Sequence, residues 1–184
     1  RRPPRMRARC LLAARGGPPD ALARGSGRMA AASGWTPREF RGEAGEGHAR
    51  RLAEVFAAAG AAATPSATTP APDDPWLLAA VAANESGFRM RVIGRHGEVG
   101  MMQVLPKYAH HYGCTGRIAH DARANVRCAV RELRYWRERC GSDVRAWLSA
   151  WNTGRCDSRV GRRYVARVLR LRDRGMAGES GAGW

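Results

Sequence analysis

Lysine is all but missing from this 184-residue chain, and Lys107 is its only example. A phosphate-binding loop of the Gly-x-x-x-x-Gly-Lys-Ser/Thr kind is therefore excluded, because Pro106 and not glycine precedes that lysine. Long apolar runs are lacking as well. None approaches the ~18–20 residues that a membrane-crossing helix needs. There is no Cys-x-x-Cys pair and no nearby Cys/His cluster of the zinc-binding kind. Neither β-alternation of useful length nor an internal repeat occurs. Acidic residues are few: 16 stand against 32 Lys+Arg, for a net charge of +16. Such a charge favours polyanions of any kind. It is also spread out. Residues 1–72 hold 12 arginines and 5 acids, residues 73–171 hold 18 Lys+Arg and 9 acids, and residues 172–184 are neutral. With no nucleic-acid reader motif beside it, this pattern does not describe a compact DNA-reading patch.

What is present divides the chain in three. Residues 1–72 form an Arg/Pro/Ala/Gly-rich extension expected to be disordered. The chain begins at Arg1, and Met6 and Met29 are candidate true starts. Within residues 48–68 a basic HARR, an apolar LAEVFAAAGAAA and a small-residue TPSATTPAP follow in order. That order fits a signal peptide, although Glu54 interrupts the apolar part; a short amphipathic helix followed by a linker fits equally. Thr64 to Pro72 is a linker on either reading.

Residues 73–171 are expected to be a folded, all-α single domain, with residues 172–184 a loose tail. Asp73-Asp74-Pro75 is a helix start. The helix runs from Trp76 to about Ser86, with Leu78, Val81, Ala82 and Glu85 on one face. A short helix, with an extended entry as an alternative start, is expected over Met101–His110, further helices over Arg123–Arg139 and Asp143–Trp151, and a last one is marked by Val160, Tyr164, Val168 and Leu171. Cys114, Cys128, Cys140 and Cys156 fall inside this domain and allow three pairings, whereas Cys10 is isolated. Cys114–Cys128 and Cys140–Cys156 is the favoured pairing, each closing a short loop or helical hairpin. Buried free thiols are the alternative.

One stretch stands out chemically: NESGFRMRVIGRHGEVGMMQVLP, from Asn84 to Pro106. Glu85 closes an apolar helix face, where the core should meet a cleft. Desolvation at such a place disfavours the charged form and raises a carboxyl's pKa, so that it can donate a proton near neutral pH. The other acids compete poorly. Asp73 and Asp74 read as caps, Glu132, Glu138, Asp143 and Asp157 as residues of charged faces or turns, and Asp121 as part of a polar loop. Gly94, Gly97 and Gly100 then recur at every third position, suiting close backbone approach to a ligand. Beyond them Gln103 is a candidate polar contact, and Met101 and Met102 are apolar walls or core. Trp151 and Asn152 at a helix end are residue types that sugar-binding clefts use, though both are commoner as core and turn residues.

Taken in order, these segments resemble the soluble lytic transglycosylase family of lysozyme-like proteins. Asn84-Glu85-Ser86-Gly87-Phe88 is similar to its E-S-x-F motif. Gly97 to Pro106 is similar to G-x-x-G-L-M-Q-I-x-P. Ala150-Trp151-Asn152-Thr153-Gly154 is similar to A-Y-N-A-G, and Tyr164 with Val168 resembles its closing tyrosine-containing helix. The resemblance implies a lysozyme-like α fold and cleavage of peptidoglycan between N-acetylmuramic acid and N-acetylglucosamine, with a 1,6-anhydro product. It implies Glu85 as the sole acid/base and Ser86, Met102, Gln103, Trp151, Asn152 and Tyr164 as substrate-binding residues. No cofactor and no metal are expected. Glycan strands are the expected partner, with cell-envelope machinery as a candidate; nucleic acid is not expected, the chain is read as a monomer, and its place is the periplasm or beyond. Three departures are visible. Gly94 stands where many members carry a serine, Trp151 replaces a tyrosine, and Met101 replaces a leucine. Glu98, at a position commonly small in the family, is the only rival second carboxylate nearby. The rival functions are a hydrolytic goose-type lysozyme, a non-catalytic wall-binding or secretion-assembly module, and a basic nucleic-acid binder.

Overall fold

The structure, a computed structural model, describes residues 55–56, 70–114 and 117–181. Most of the signal-peptide-like pattern, residues 64–69 of the linker, Met6, Cys10, Met29 and the last three residues lie outside that set.

Helix α1 (Pro75–Glu85) begins as its residues dictate. Asp74 Oδ1 accepts the N–H groups of Trp76 and Leu77 at 2.9 and 3.1 Å, and Pro75 takes the first helical position. Its burial is broader than the sequence pattern suggests. Leu77 to Ala82 are all buried, so the helix is enclosed on every side and not along one face. Half-buried residues stand at its two ends, Pro75 and Trp76 at the start and Ala83 to Glu85 in the last turn.

Around α1 stand α2 (Pro106–Ala109), a 3-10 turn (His110–Tyr112), α3 (Ala122–Cys140), α4 (Val144–Thr153) and α5 (Gly161–Gly181). Helix α1 packs on α5, α5 on α4, and α4 on α3. Asp121 and Asp143 cap α3 and α4 through their side chains. No strand longer than an isolated bridge occurs among the described residues. The fold is all-α.

Several expectations are corrected. The helix expected over Met101–His110 begins only at Pro106. Gly100 and Gln103 are left-handed, with φ of 76° and 49°, and Pro106 holds Leu105 extended. Val160 is exposed, and α5 starts one residue later. Glu132 lies on the inner face of α3, because its spacing from Cys128 and Trp136 puts it in the buried stripe. Two residues of the supposed disordered extension are ordered: Val55 and Phe56 are helical and buried, with the Phe56 ring edge-on to Phe88 at 6.2 Å between centroids.

The largest correction concerns the tail. Helix α5 does not stop at Leu171 but runs on to Gly181. Arg172 is its anchor. Its Nε and Nη2 donate to Asp74 Oδ2 at 2.8 and 2.7 Å, and both side chains are 2% exposed. Asp74 thus caps α1 with one oxygen and grips α5 with the other.

Disulfides join Cys114 to Cys128 and Cys140 to Cys156, with Cα separations of 5.2 and 5.5 Å. The first ties the loop after the 3-10 turn to α3. The second ties the end of α3 to the loop after α4. Closing loops of this length stabilises a fold by about 3 kcal/mol each, on the chain-entropy model.

Replacing Arg172 strands the Asp74 carboxylate in the core. Breaking a buried pair by removing one partner costs about 3–5 kcal/mol. Urea denaturation of Arg172→Ala is expected to show a loss of that size, whereas Arg170→Ala, at an exposed position, should stay within about 0.5 kcal/mol of wild type. A loss for Arg172→Ala no larger than that for Arg170→Ala would remove the anchoring role.

Candidate active site

Glu85 is where three helices converge. Its carboxylate lies at the C-terminal end of α1. Oε1 accepts a hydrogen bond from Trp151 Nε1 of α4 at 3.0 Å and another from the Tyr164 hydroxyl of α5 at 2.7 Å. Both donors are buried, at 0% and 1% exposure, while Glu85 itself is half-buried. A group that is part of the core on one side and reachable on the other is what an acid/base needs. Donors to a carboxylate favour its charged form, and burial disfavours it. The two influences oppose each other here, whereas the sequence suggests burial alone.

Close approach of α4 and α5 makes this convergence possible. Gly161, at the start of α5, sits on Ser149 of α4. A Cβ there would fall 2.6 Å from Ser149 Oγ and 3.2 Å from its Cα. Ser149 Oγ also donates to Arg155 O and accepts from Ser158 N, which folds the connection tightly. Tyr164 follows Gly161 by one turn and therefore arrives beside Trp151.

The glycine loop is bound to the same end of α1. Ser86 Oγ, next to the carboxylate, donates to Met101 O at 2.8 Å. Val99 pairs with Ile93 and with Val104 in isolated antiparallel bridges. From α3, Asn125 pins the loop at two points and ties it to the segment before α3 with a third bond. Its Nδ2 donates to Val99 O and Ile118 O, and its Oδ1 accepts Met102 N–H at 2.9 Å. Asn125 was not singled out by sequence reasoning. Its only signal is a polar residue at a position of α3 where the helical period calls for an apolar one.

The candidate residues therefore divide. Trp151 and Tyr164 meet Glu85 directly. The Trp151 ring, fully buried, offers no face for stacking on a sugar, and its indole N–H is the part that matters. Met102 is fully buried with Met101, so neither forms an exposed wall. Ser86 is committed to the loop backbone. Gln103 Nε2 donates to Gly100 O at 2.7 Å and Val92 O at 3.3 Å, so its amide is turned inward with Oε1 toward Gly94. Asn152 is buried at the end of α4, and its amide makes no hydrogen bond among the described residues. Glu98, discounted on sequence, is 6% exposed and accepts His96 N at 2.9 Å and lies 3.3 Å from His96 Nδ1. No cluster of three metal-ligating side chains occurs among the described residues.

Each donor to Glu85 can be removed conservatively. Hydrogen bonds to charged groups are worth about 1.5–3 kcal/mol. Trp151→Phe and Tyr164→Phe should each weaken the carboxylate relative to the acid. The Glu85 titration, followed by carboxyl 13C NMR, is expected to move upward in pH in each single variant and further in the double. A titration that stays in place in both would show that the two bonds do not tune this group.

No solved structure matches the chain. Its sequence nonetheless has a clear relationship. Residues 66–168 match the Transglycosylase SLT domain, more than half of the chain and nearly all of the helical unit from α1 into α5. Glu85, the glycine loop, Trp151 and Tyr164 all lie within the match. The chain belongs to the SLT transglycosylase family, whose domain has the all-α, lysozyme-like fold seen here and is associated with peptidoglycan as substrate.

Proposed function

We propose that the protein is an exported lytic transglycosylase that cleaves peptidoglycan with Glu85 as its only acid and base. The observation that carries this reading is the meeting of Trp151 Nε1–H and Tyr164 O–H on one oxygen of Glu85. In its acid form the Glu85 carboxyl carries the proton to be given up. From there it passes to the oxygen linking N-acetylmuramic acid to N-acetylglucosamine as the C1–O bond breaks. The N-acetyl carbonyl oxygen of the muramyl sugar bonds to C1 and holds its positive charge. Glu85, now a carboxylate, takes the proton of the 6-hydroxyl while O6 bonds to C1 and displaces the acetamido oxygen. The product is a 1,6-anhydro end and Glu85 is again protonated. One carboxyl suffices, as in substrate-assisted glycosidases generally.

In this reading Trp151 and Tyr164 position the acid. Ser86, Met102 and Gln103 hold the loop against it, and the Asn152 amide at the end of α4 is the polar group offered to the sugar. The net positive charge draws the chain to an anionic wall. Two disulfides suit an oxidising compartment outside the cytoplasm. No helix among the described residues is long and apolar enough to cross a membrane.

A hydrolytic outcome on the same fold is the second reading. A buried carboxylate, Glu98, in the loop after α1 favours it, since hydrolysis needs a group to receive a water proton. Mass analysis of the products separates the two. Anhydro ends are expected, and reducing ends would mean that water replaces the 6-hydroxyl. Glu85→Gln should lower turnover at least about a hundredfold, the scale of general acid–base catalysis. Wild type that releases nothing, or Glu85→Gln as active as wild type, would leave a wall-binding module without catalysis.

A further inference from the structure

The outer face of α3 and the 3-10 turn beside it bring positive charge and aromatic rings together. No acid occurs between Glu98 and Asp121, a stretch that holds Lys107, Arg117 and three histidines. On α3, Arg127, Arg131 and Arg139 are exposed, and Glu138 is the one exposed acid of that helix. The two elements form a continuous surface. Arg131 Nη1 donates to Gly113 O, and Arg131 and Arg127 line a shallow depression against Cys114. Tyr112 meets Tyr135 edge-on at 5.3 Å between centroids, and the Arg139 guanidinium lies 5.7 Å from the centre of the Tyr135 ring. On the α2 side, Lys107 Nζ lies 4.9 Å above Tyr108, which stands 6.3 Å from His111.

Exposed arginines are ordinary on so basic a chain. Helix α5 has Arg163, Arg167 and Arg170 exposed, but its one aromatic residue, Tyr164, is buried. The α3 face differs in having Tyr108, Tyr112 and Tyr135 half-buried among its cations, so that each ring is anchored on one side and reachable on the other. None of Lys107, Arg127, Arg131 and Arg139 is paired with an acid among the described residues. A ring attracts a cation only weakly at an exposed site, so the charge of this face is left largely uncompensated. An anionic ligand would compensate it.

We infer that this face is a second binding surface for peptidoglycan, built from elements other than the three helices that meet at Glu85. On it the carboxylates of stem peptides meet Lys107, Arg127 and Arg139, while the sugars of the strand lie on the tyrosine rings. The inference rests on the exported, glycan-cleaving reading above for the identity of the polymer. Guanidinium groups match carboxylates in charge and planar geometry, and aromatic rings suit the apolar faces of sugars. Single-stranded nucleic acid uses cations and rings as well. The two disulfides favour an oxidising compartment and hence a wall polymer. Holding the wall at a second place keeps the strand at high effective concentration near Glu85 after each cut.

Cosedimentation of the Glu85→Gln chain with insoluble peptidoglycan tests this without turnover. In that background Lys107→Glu, Arg127→Glu and Arg139→Glu are combined. A control combines Arg163→Glu, Arg167→Glu and Arg170→Glu, which changes the net charge equally. The first triple is expected to weaken binding about tenfold and the control to stay within about twofold of the parent. Tyr108→Ala, which leaves the charge alone, is expected to weaken it about fivefold. Equal losses in the two triples would mean attraction by net charge alone and overturn the surface. So would a Tyr108→Ala chain that binds like its parent, losses that track a fall in melting temperature, or a parent that does not sediment with peptidoglycan. Peptidoglycan stripped of stem peptides that binds as tightly as the intact polymer would overturn the pairing with carboxylates, and tighter binding of single-stranded DNA at the same salt would overturn the choice of polymer. Cleavage by wild type decides the catalytic reading separately, since binding is read in a chain without the acid.

Discussion

Two hydrogen bonds ending on Glu85 Oε1 are the constraint to which the rest of the structure is fitted. They join α1, α4 and α5 at a single atom. Hydrogen bonds are short-ranged and directional, so a shift of an ångström in any of the three helices would lose one of them. The helices are therefore fixed near this point by other means. Gly161 lets α5 seat on Ser149, the Cys140–Cys156 bridge holds the chain leaving α4, and Ser86 binds the end of α1 to the glycine loop. None of these contacts touches the carboxylate through its own side chain. All of them set where it stands.

The far end of α1 is fixed by different chemistry to the same purpose. Asp74 and Glu85 are eleven residues apart, about 16 Å along a helix, and Arg172 and Tyr164 are eight apart, about 12 Å. Asp74 meets Arg172 while Glu85 meets Tyr164, so α1 and α5 run antiparallel and are fastened at both ends. A slip of one residue between them would shift the contacts by 1.5 Å and turn the side chains by about 100°. The long apolar contact between the helices resists such a slip weakly, because alanines and leucines repack easily. Charged partners with fixed geometry resist it strongly. A buried ion pair adds little net stability, and setting the register of two helices is the use to which this one is suited.

Much of this was legible in the sequence, and the failures have a common cause. Local signals worked. Asp74-Pro75 starts a helix, another begins at Asp143, the apolar period marks α3, and the favoured cysteine pairing is the one observed, whereas Asp121 reads as a loop residue and is the cap of α3. Glu85 stood out because an acid at the end of an apolar helix is rare. What could not be seen were pairings across the fold. Arg172 lies in a Gly- and Arg-containing stretch that looks loose, and only its partner 98 residues earlier makes it a core residue. Asn125 looks like one polar residue on a helix, and only the loop it pins explains its burial. Glu132 fell on the buried stripe by its spacing, which could have been read, but its charge argued against that placement. The loop around Gln103 defeated helix prediction because a left-handed φ at a non-glycine residue is set by tertiary bonds and leaves no compositional trace.

Trp151 departs from the family's tyrosine and changes the terms on which the Glu85 carboxylate is held. A tyrosine at that place would bring a hydroxyl, which both donates and accepts and can reverse its role when its partner gains a proton. An indole N–H only donates. Its bond to Glu85 Oε1 keeps the same direction whether Glu85 is charged or neutral. Tyr164 supplies the reversible partner alongside it. Glu85 thus has one neighbour that only donates and one that can also accept, an arrangement that two hydroxyls would not enforce.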